Sequence, residues 1–242
     1  MFEFLKKITN NKESTLNNNV NSAHRILKTD IKKDPDNQED EIIFGCGCFW
    51  GAEKCFWKLP GVVTTSVGYA GGDKSNPTYY EVCSGLTGHS EVVRVIWNKS
   101  KIDISDLLKM FWECHDPTQK NRQGNDLGTQ YRSTIYYKNE NHKKIILASK
   151  EQYQIELNKE NLGLIETEIK MIDDYYYAEQ YHQQYLASLG SRQYCSASPT
   201  KVKLGNFNGS NYKLKDHIWE NFNWEIDKCV LRSDNNPIKN NI

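Results

Sequence analysis

Two hundred and forty-two residues with 38% hydrophobic and 12% aromatic content describe a folded chain, because disordered chains lack the rings that a core needs. Thirty-one basic side chains balance 31 acidic ones, which removes the electrostatic drive toward nucleic acid or an anionic membrane surface. Seven cysteines are too sparse, and odd in number, for a disulfide-stapled secreted scaffold, and no apolar run approaches the ~20 residues of a membrane-spanning helix.

Residues 1–40 are rich in asparagine (Asn10, Asn11, Asn17, Asn18, Asn19, Asn21, Asn37) and poor in aromatics after Phe4, so a flexible polar tail is expected there. Lys6 and Lys7 follow Leu5 with no apolar stretch behind them, which argues against a secretory signal, and Glu3 and Glu13 argue against a mitochondrial presequence. A cytoplasmic monomer is the expectation. Ile42-Ile43-Phe44, bounded by Gly45 and Gly47, reads as a buried strand. Trp50 to Leu59 reads as a helix stopped by Pro60-Gly61, and Val62 to Tyr69 as a second strand. His89 to Trp97 alternates as a third strand, and Leu107, Leu108, Phe111 and Trp112 form a helical stripe behind Asp103 and Ser105. Thr129 to Tyr137 reads as a strand, Asn139 to Leu157 as a polar helix, Leu164 to Ile172 as a strand, and Asp174 to Leu189 as a Tyr-rich helix ended by Gly190. The first six elements match a split β-α-β plan. The expected fold is α+β: a two-layer sandwich around a mixed sheet of ferredoxin-like type, residues 41–195, with irregular extensions at both ends. Within the C-terminal extension, residues 196–242, Trp219, Phe222 and Trp224 must pack somewhere, and the last dozen residues read as loose.

The most informative stretch is Gly45-Cys46-Gly47-Cys48-Phe49-Trp50-Gly51, where a strand ends and a helix begins. Helix N-terminal N–H groups favour a thiolate, so this position should lower the Cys48 pKa and make it a nucleophile beside two rings. Equally, Cys46 and Cys48 are small residues of a type often buried in strand ends. Glu91 alone reads as a solvated strand-end charge, and any one tyrosine as amphipathic packing. A zinc site assembled from Cys46 and Cys48 with Cys55, Cys83 or Cys114-His115 fits the composition. However, no Cys-x-x-Cys pair occurs, and zinc ligands usually arrive on such paired loops. Cys114-His115 as a hydrolase pair is disfavoured, since adjacent helical residues point apart.

Taken together, Gly-Cys-Phe-Trp-Gly at 47–51, Tyr-Ala-Gly-Gly at 69–72, Pro-Thr-Tyr at 77–79 and Gly-His-Ser-Glu at 88–91 make the sequence resemble the A-type peptide methionine sulfoxide reductases. The same order continues through Trp-Glu-Cys-His-Asp-Pro at 112–117, Gly-Asn-Asp at 124–126, Tyr-His-Gln-Gln-Tyr-Leu at 181–186 and Tyr-Cys at 194–195. The resemblance implies Cys48 as nucleophile, Phe49 and Trp50 gripping the S-methyl group, and Glu91 as proton donor. It implies Tyr79 and Tyr131 as donors to the sulfoxide oxygen, Asp126 as a binding residue and His182 as support behind the site. Cys195 falls at the resolving position, with a thioredoxin-like dithiol as reductant and oxidised proteins or peptides containing methionine sulfoxide as substrates. No metal, flavin or nicotinamide is implied. The sequence departs from the family's pattern at Cys46, in the missing second cysteine shortly after Cys195, and in the aromatic extension to Trp224; Cys229 is the next recycling candidate, and Cys46 a rival resolver.

Overall fold

The computed structural model describes residues 20–225 and 233–240. Strand β1 (Glu39–Cys46) runs into helix α1 (Phe49–Trp57), β2 (Val62–Ala70), the short helix α2 (Tyr79–Cys83), β3 (Ser90–Asn98) and helix α3 (Ile104–Glu113). A small hairpin, β4 (Arg122–Gln123) and β5 (Asp126–Leu127), leads through a 3-10 turn at Thr129–Tyr131 into β6 (Ser133–Tyr137). Helix α4 (Asn141–Lys159), β7 (Glu168–Met171), β8 (Tyr176–Tyr177), a second 3-10 turn at Tyr185–Ala187 and helix α5 (Asp216–Trp219) complete the chain. The main sheet has the order β7-β6-β1-β3-β2-β8. Its four central strands pair antiparallel in the ferredoxin-like order, while β7 joins β6 in parallel, so the sheet is mixed as expected.

The period-2 pleat of β1 sorts its residues by face. Ile42, Phe44 and Cys46 point into the main core with Phe56 of α1 and Phe111 of α3, whereas Ile43 joins Val92 and Tyr136 on the opposite face. Phe44 stacks between Phe56 and Phe111 at centroid distances of 4.9 and 5.1 Å. Capping boxes start both α2 (Thr78 with Glu81) and α3 (Asp103 with Asp106), satisfying first-turn N–H groups that would otherwise lack partners.

Three expectations change. The described part of the N-terminal segment, 20–38, is docked, because its polar groups have partners in the domain. His24 is fully buried with Nε2 2.9 Å from Thr65 Oγ1, Ile31 is buried, and Arg94 donates to the carbonyls of Ile31 and Lys33. Residues 1–19 lie outside the described residues.

The Tyr-rich stretch 174–189 is not a helix. Tyr176 and Tyr177 extend β2 as an edge strand, the Tyr175 hydroxyl lies 2.9 Å from Ser66 Oγ, and Gln184 adopts a left-handed φ of 47° that breaks any helix. Consecutive aromatics favour a pleated surface, and that preference outweighs the helical spacing.

The C-terminal end is not loose where it is described. Ile238 N donates to Lys58 O, and the Trp57 indole donates to Asn235 O at 3.0 Å. Val202, Leu204, Phe207, Leu214, Ile218, Phe222 and Trp224 enter the main core, so the extension completes the domain.

Candidate active site

Gly47 adopts φ 89°, a conformation costly for any residue with a Cβ, and a Cβ there would lie 2.5 Å from Gln123 Cβ. The chain thus turns sharply out of β1 and places Cys48 at the N-cap of α1. The first-turn donors divide between two acceptors. Phe49 N–H donates to Glu91 Oε2 at 3.1 Å, and Trp50 N–H faces the Cys48 sulfur. Glu91 stands on β3 opposite Tyr69 of β2, where the pleat turns it under the helix end.

Cys48, Phe49, Trp50, Tyr79, Glu91, Asp126 and Tyr131, all singled out from the sequence, line one cavity of about 360 Å³. Tyr185, Arg192 and Tyr194 complete the wall. These three lie in the segment misread as helix and its continuation; the tyrosine density there was the available signal. Trp50 and Tyr185 stack at 3.9 Å with 17° between planes. His182 sits behind them: its Nδ1 accepts the Trp50 indole N–H at 3.1 Å, and its ring lies 5.1 Å from Phe49 and 4.7 Å from Tyr79. Burial lowers the His182 pKa to about 4, so the ring is a neutral acceptor that sets the Trp50 orientation.

Burial raises the Glu91 pKa to about 8, against the opposing Phe49 N–H, with Asp126 and Glu179 adding to the rise. The carboxyl is therefore mostly protonated at neutral pH. Burial also raises the Cys48 thiol well above its usual value, followed by the Glu91 charge, while the Trp50 N–H pulls the other way. The expected depression by the helix end is outweighed because the thiol is only 8% exposed and shares that helix end with a carboxyl group. Tyr79 and Tyr131 are held well above their usual pKa, first by burial, and remain hydrogen-bond donors. Asp126 Oδ1 accepts the Tyr194 hydroxyl at 2.5 Å, so it braces a wall residue.

Glu53, one turn along α1 from Trp50, fixes the far wall. Its carboxylate accepts from Thr65 Oγ1 (3.0 Å), Gln184 N (2.8 Å) and Gln184 Nε2 (2.7 Å). These bonds hold Gln184 in its left-handed conformation and set Tyr185 against Trp50. The sequence reading missed Glu53, whose signal was a carboxylate on an otherwise apolar helix face.

Cys195 rests on the first turn of α1: a Cβ on Gly51 would lie 2.4 Å from the Cys195 sulfur. Its segment is laid on the β4–β5 hairpin, with Tyr194 bonded to Asp126 and Ser198 N donating to Gln123 Oε1 at 3.1 Å. The six described cysteines are all thiols. Cys46 faces the core rather than the cavity. Cys83 is exposed at the end of α2, and its sulfur accepts the Tyr79 hydroxyl. Cys229 lies outside the described residues.

A buried thiol at a helix end, a protonated carboxyl beneath it, paired aromatic walls and a second thiol on the same helix turn suit a thiol-based oxidoreductase. The profile of the family "Peptide methionine sulfoxide reductase" matches residues 40–214. The MsrA of Vibrio vulnificus is 52% identical over 183 residues, covering 76% of this chain and 87% of that protein. The MsrA of Azotobacter vinelandii is 56% identical over 185 residues, covering 76% and 85%. Among solved structures, methionine sulfoxide reductase A of Corynebacterium diphtheriae superposes with a TM-score of 0.64 at 42% identity, covering 76% of this chain and 89% of that one. Reduced Mxr1 of Saccharomyces cerevisiae gives 0.62 at 34%, covering 72% and 96%. The chain belongs to the peptide methionine sulfoxide reductase family, and it is an oxidoreductase that returns methionine sulfoxide to methionine at the expense of thiols.

Proposed function

We propose that Cys48 attacks the sulfur of a methionine S-sulfoxide, free or in an oxidised protein, while Glu91 delivers its proton to the sulfoxide oxygen. The observation that carries this reading is the single cavity holding a buried thiol, a carboxyl with pKa about 8 and the Phe49–Trp50 rings. Thiol plus sulfoxide gives sulfenic acid plus sulfide, so one proton leaves Cys48 as one reaches oxygen. Glu91 therefore ends the step with its charge unchanged: it gives a proton to the oxygen and takes that of the thiol. Its protonated state also removes the negative charge that opposes a thiolate. Tyr79 and Tyr131 donate hydrogen bonds to the departing oxygen, and Phe49 and Trp50 enclose the methyl group.

Cys195 then condenses with the Cys48 sulfenic acid, releasing water and forming a disulfide. The seat of its sulfur on Gly51, one turn from Cys48, supports this role. A thioredoxin-like dithiol restores both thiols by exchange. We further assign the enzyme to the cytoplasm, as a monomer, with preference for the S epimer.

The test is turnover of each epimer of a blocked methionine sulfoxide by wild type, Cys48→Ser and Cys195→Ser. The expected result is S-epimer reduction lost in Cys48→Ser. Cys195→Ser should release about one equivalent of methionine and then stall with thioredoxin, while small dithiols rescue it. Equal rates on both epimers, or thioredoxin-driven cycling of Cys195→Ser, would overturn the reading.

A further inference from the structure

Beneath the nucleophile, three chain segments bring soft donors to one buried point. Cys46 ends β1, Cys114 is the C-cap of α3, and His115 follows it; one ligand atom of each lies within 4.8 Å of the others. Cys55 of α1 lies against Cys114, near enough for a hydrogen bond between the thiols. No step of the sulfoxide chemistry uses any of the four. The paired short loops whose absence argued against zinc in the sequence are replaced here by convergence of a strand end, a helix face and a helix end.

We propose that Cys46, Cys114 and His115 form a buried binding site for one zinc(II) ion, with Cys55 as the fourth donor. Tetrahedral zinc with Zn–S ~2.3 Å and Zn–N ~2.1 Å needs donors ~3.5 Å apart, so adjustments of about an ångström bring Cys46, Cys114 and His115 to that spacing, while Cys55, which lies against Cys114, must turn further to join them. The surroundings select the ion. Phe44, Phe56 and Phe111 pack in the same core as the three thiols, offering no carboxylate to a hard cation. Three thiolates and a neutral imidazole leave the site with one net negative charge, spread over three polarisable sulfurs of the kind that select zinc.

His115 carries the second geometric argument. Nδ1, 4.0 Å from Cys114 Sγ, points at the Phe111 carbonyl (2.8 Å), which can only accept, so Nδ1 bears the proton in the metal-free form. Nε2 lies 2.8 Å from Ser133 Oγ, itself 2.8 Å from Thr167 Oγ1, and either hydroxyl can be the donor of that pair. The hydroxyl chain can run in either direction. On binding, the ring must tip Nδ1 off the Phe111 carbonyl toward the thiols; Nδ1 then loses its proton to solvent and takes the ion, while Nε2 becomes the donor to Ser133, the outer hydrogen bond that orients a metal-bound imidazole. Binding leaves the Phe111 carbonyl without this donor and releases the thiol protons, so affinity rises with pH.

The reduced full chain is equilibrated with zinc sulfate, desalted and assayed for bound metal. The same is done for Cys46→Ala, Cys114→Ala, Cys83→Ala and the double variant Cys48→Ser/Cys195→Ser. The expected result is about one zinc retained by wild type, by Cys83→Ala and by the double variant, and at least tenfold weaker retention in Cys46→Ala and Cys114→Ala. Should the core variants misfold, nitrogen NMR of His115 in the wild-type chain decides: zinc moves the ring proton from Nδ1 to Nε2. No retained zinc, retention that depends on Cys48 and Cys195, or an Nδ1 proton that persists in the zinc-treated chain overturns the proposal.

Discussion

The two sides of the active-site cavity are built by different means. The floor, with Cys48, Phe49 and Glu91, is set by the end of β1, the first turn of α1 and the start of β3, all tied into the central sheet. The far wall, with Tyr185, Arg192 and Tyr194, comes from chain with little regular structure that runs on to Cys195, pinned by single side chains. The difference teaches that the residues proposed for the chemical step sit on rigid elements, while those proposed to grip substrate and recycle the thiol depend on a few identifiable hydrogen bonds. Damage to the floor should appear in the chemical step, and damage to the wall in binding and recycling.

The largest effect belongs to the floor. Cys48→Ser is expected to reduce sulfoxide turnover by a factor on the order of 10⁴ with unchanged circular dichroism, since a hydroxyl is a far weaker nucleophile than a thiol. Residual activity within tenfold of wild type would remove the floor from the chemistry. Next, Glu91→Gln should slow single-turnover sulfide release by ~10²–10⁴-fold, the usual cost of a lost general acid. In wild type, the same rate should decline as pH rises through about 8, where Glu91 loses its proton.

Stability has a related sign. The folded Glu91 pKa is raised, so the native state holds a proton that the unfolded chain loses near the ordinary carboxyl value. Stability attributable to Glu91 is thus intact below about 4.5 and is lost as pH rises from there through about 8. Glu91→Gln should therefore gain thermal stability over wild type at pH 9 relative to pH 5, as melting curves would show; an unchanged difference would refute the raised pKa.

The wall should respond in another way. Gln184→Ala removes the side-chain amide donor from the buried Glu53 carboxyl and leaves the backbone N–H in place, at a cost of ~1–3 kcal/mol in stability. It also releases Tyr185 from Trp50, so KM for sulfoxide should rise about tenfold with kcat nearly unchanged. A fall in kcat with constant KM would show that this wall takes part in chemistry. Smallest of all, Tyr194→Phe removes the bond to Asp126, worth ~0.5–1.5 kcal/mol. Its signature is a few-fold slower formation of the Cys48–Cys195 disulfide, read by trapping the sulfenic acid, with first-turnover methionine release unaffected.

The same division explains what could be read from the sequence. The floor was legible because its residues are adjacent in the chain or fall at the ends of strands with clear apolar patterning. Ile42 to Phe44 and the run from Glu91 to Trp97 carry their own periodicity. The wall was not, because Tyr175 to Tyr185 satisfies a helical spacing while its backbone is decided by partners more than a hundred residues away, at Ser66, Val67 and Glu53. The N-terminal segment failed similarly. Composition counts apolar residues, whereas residues 20–38 are held by Arg94 and Thr65 through hydrogen bonds that composition does not record. The Cys48 pKa was misjudged because the helix end was visible in the sequence and the carboxyl sharing it was forty-three residues away.

Gly51 shows what this architecture gives up. It lies in the first turn of α1 with helical neighbours on both sides, where alanine would be favoured over glycine by ~1 kcal/mol. Among the described residues, the atoms nearest to a methyl group there belong to Cys195, whose sulfur occupies the space. In a Cys195→Ala background, Gly51→Ala should therefore make the protein more heat-resistant, while in the native background the same change crowds the thiol proposed for recycling. The helix carrying the nucleophile is kept weaker than its sequence need make it. A search for thermostable variants judged on melting temperature alone would tend to fill this gap first, and would select enzymes that survive heating but stall after one turnover.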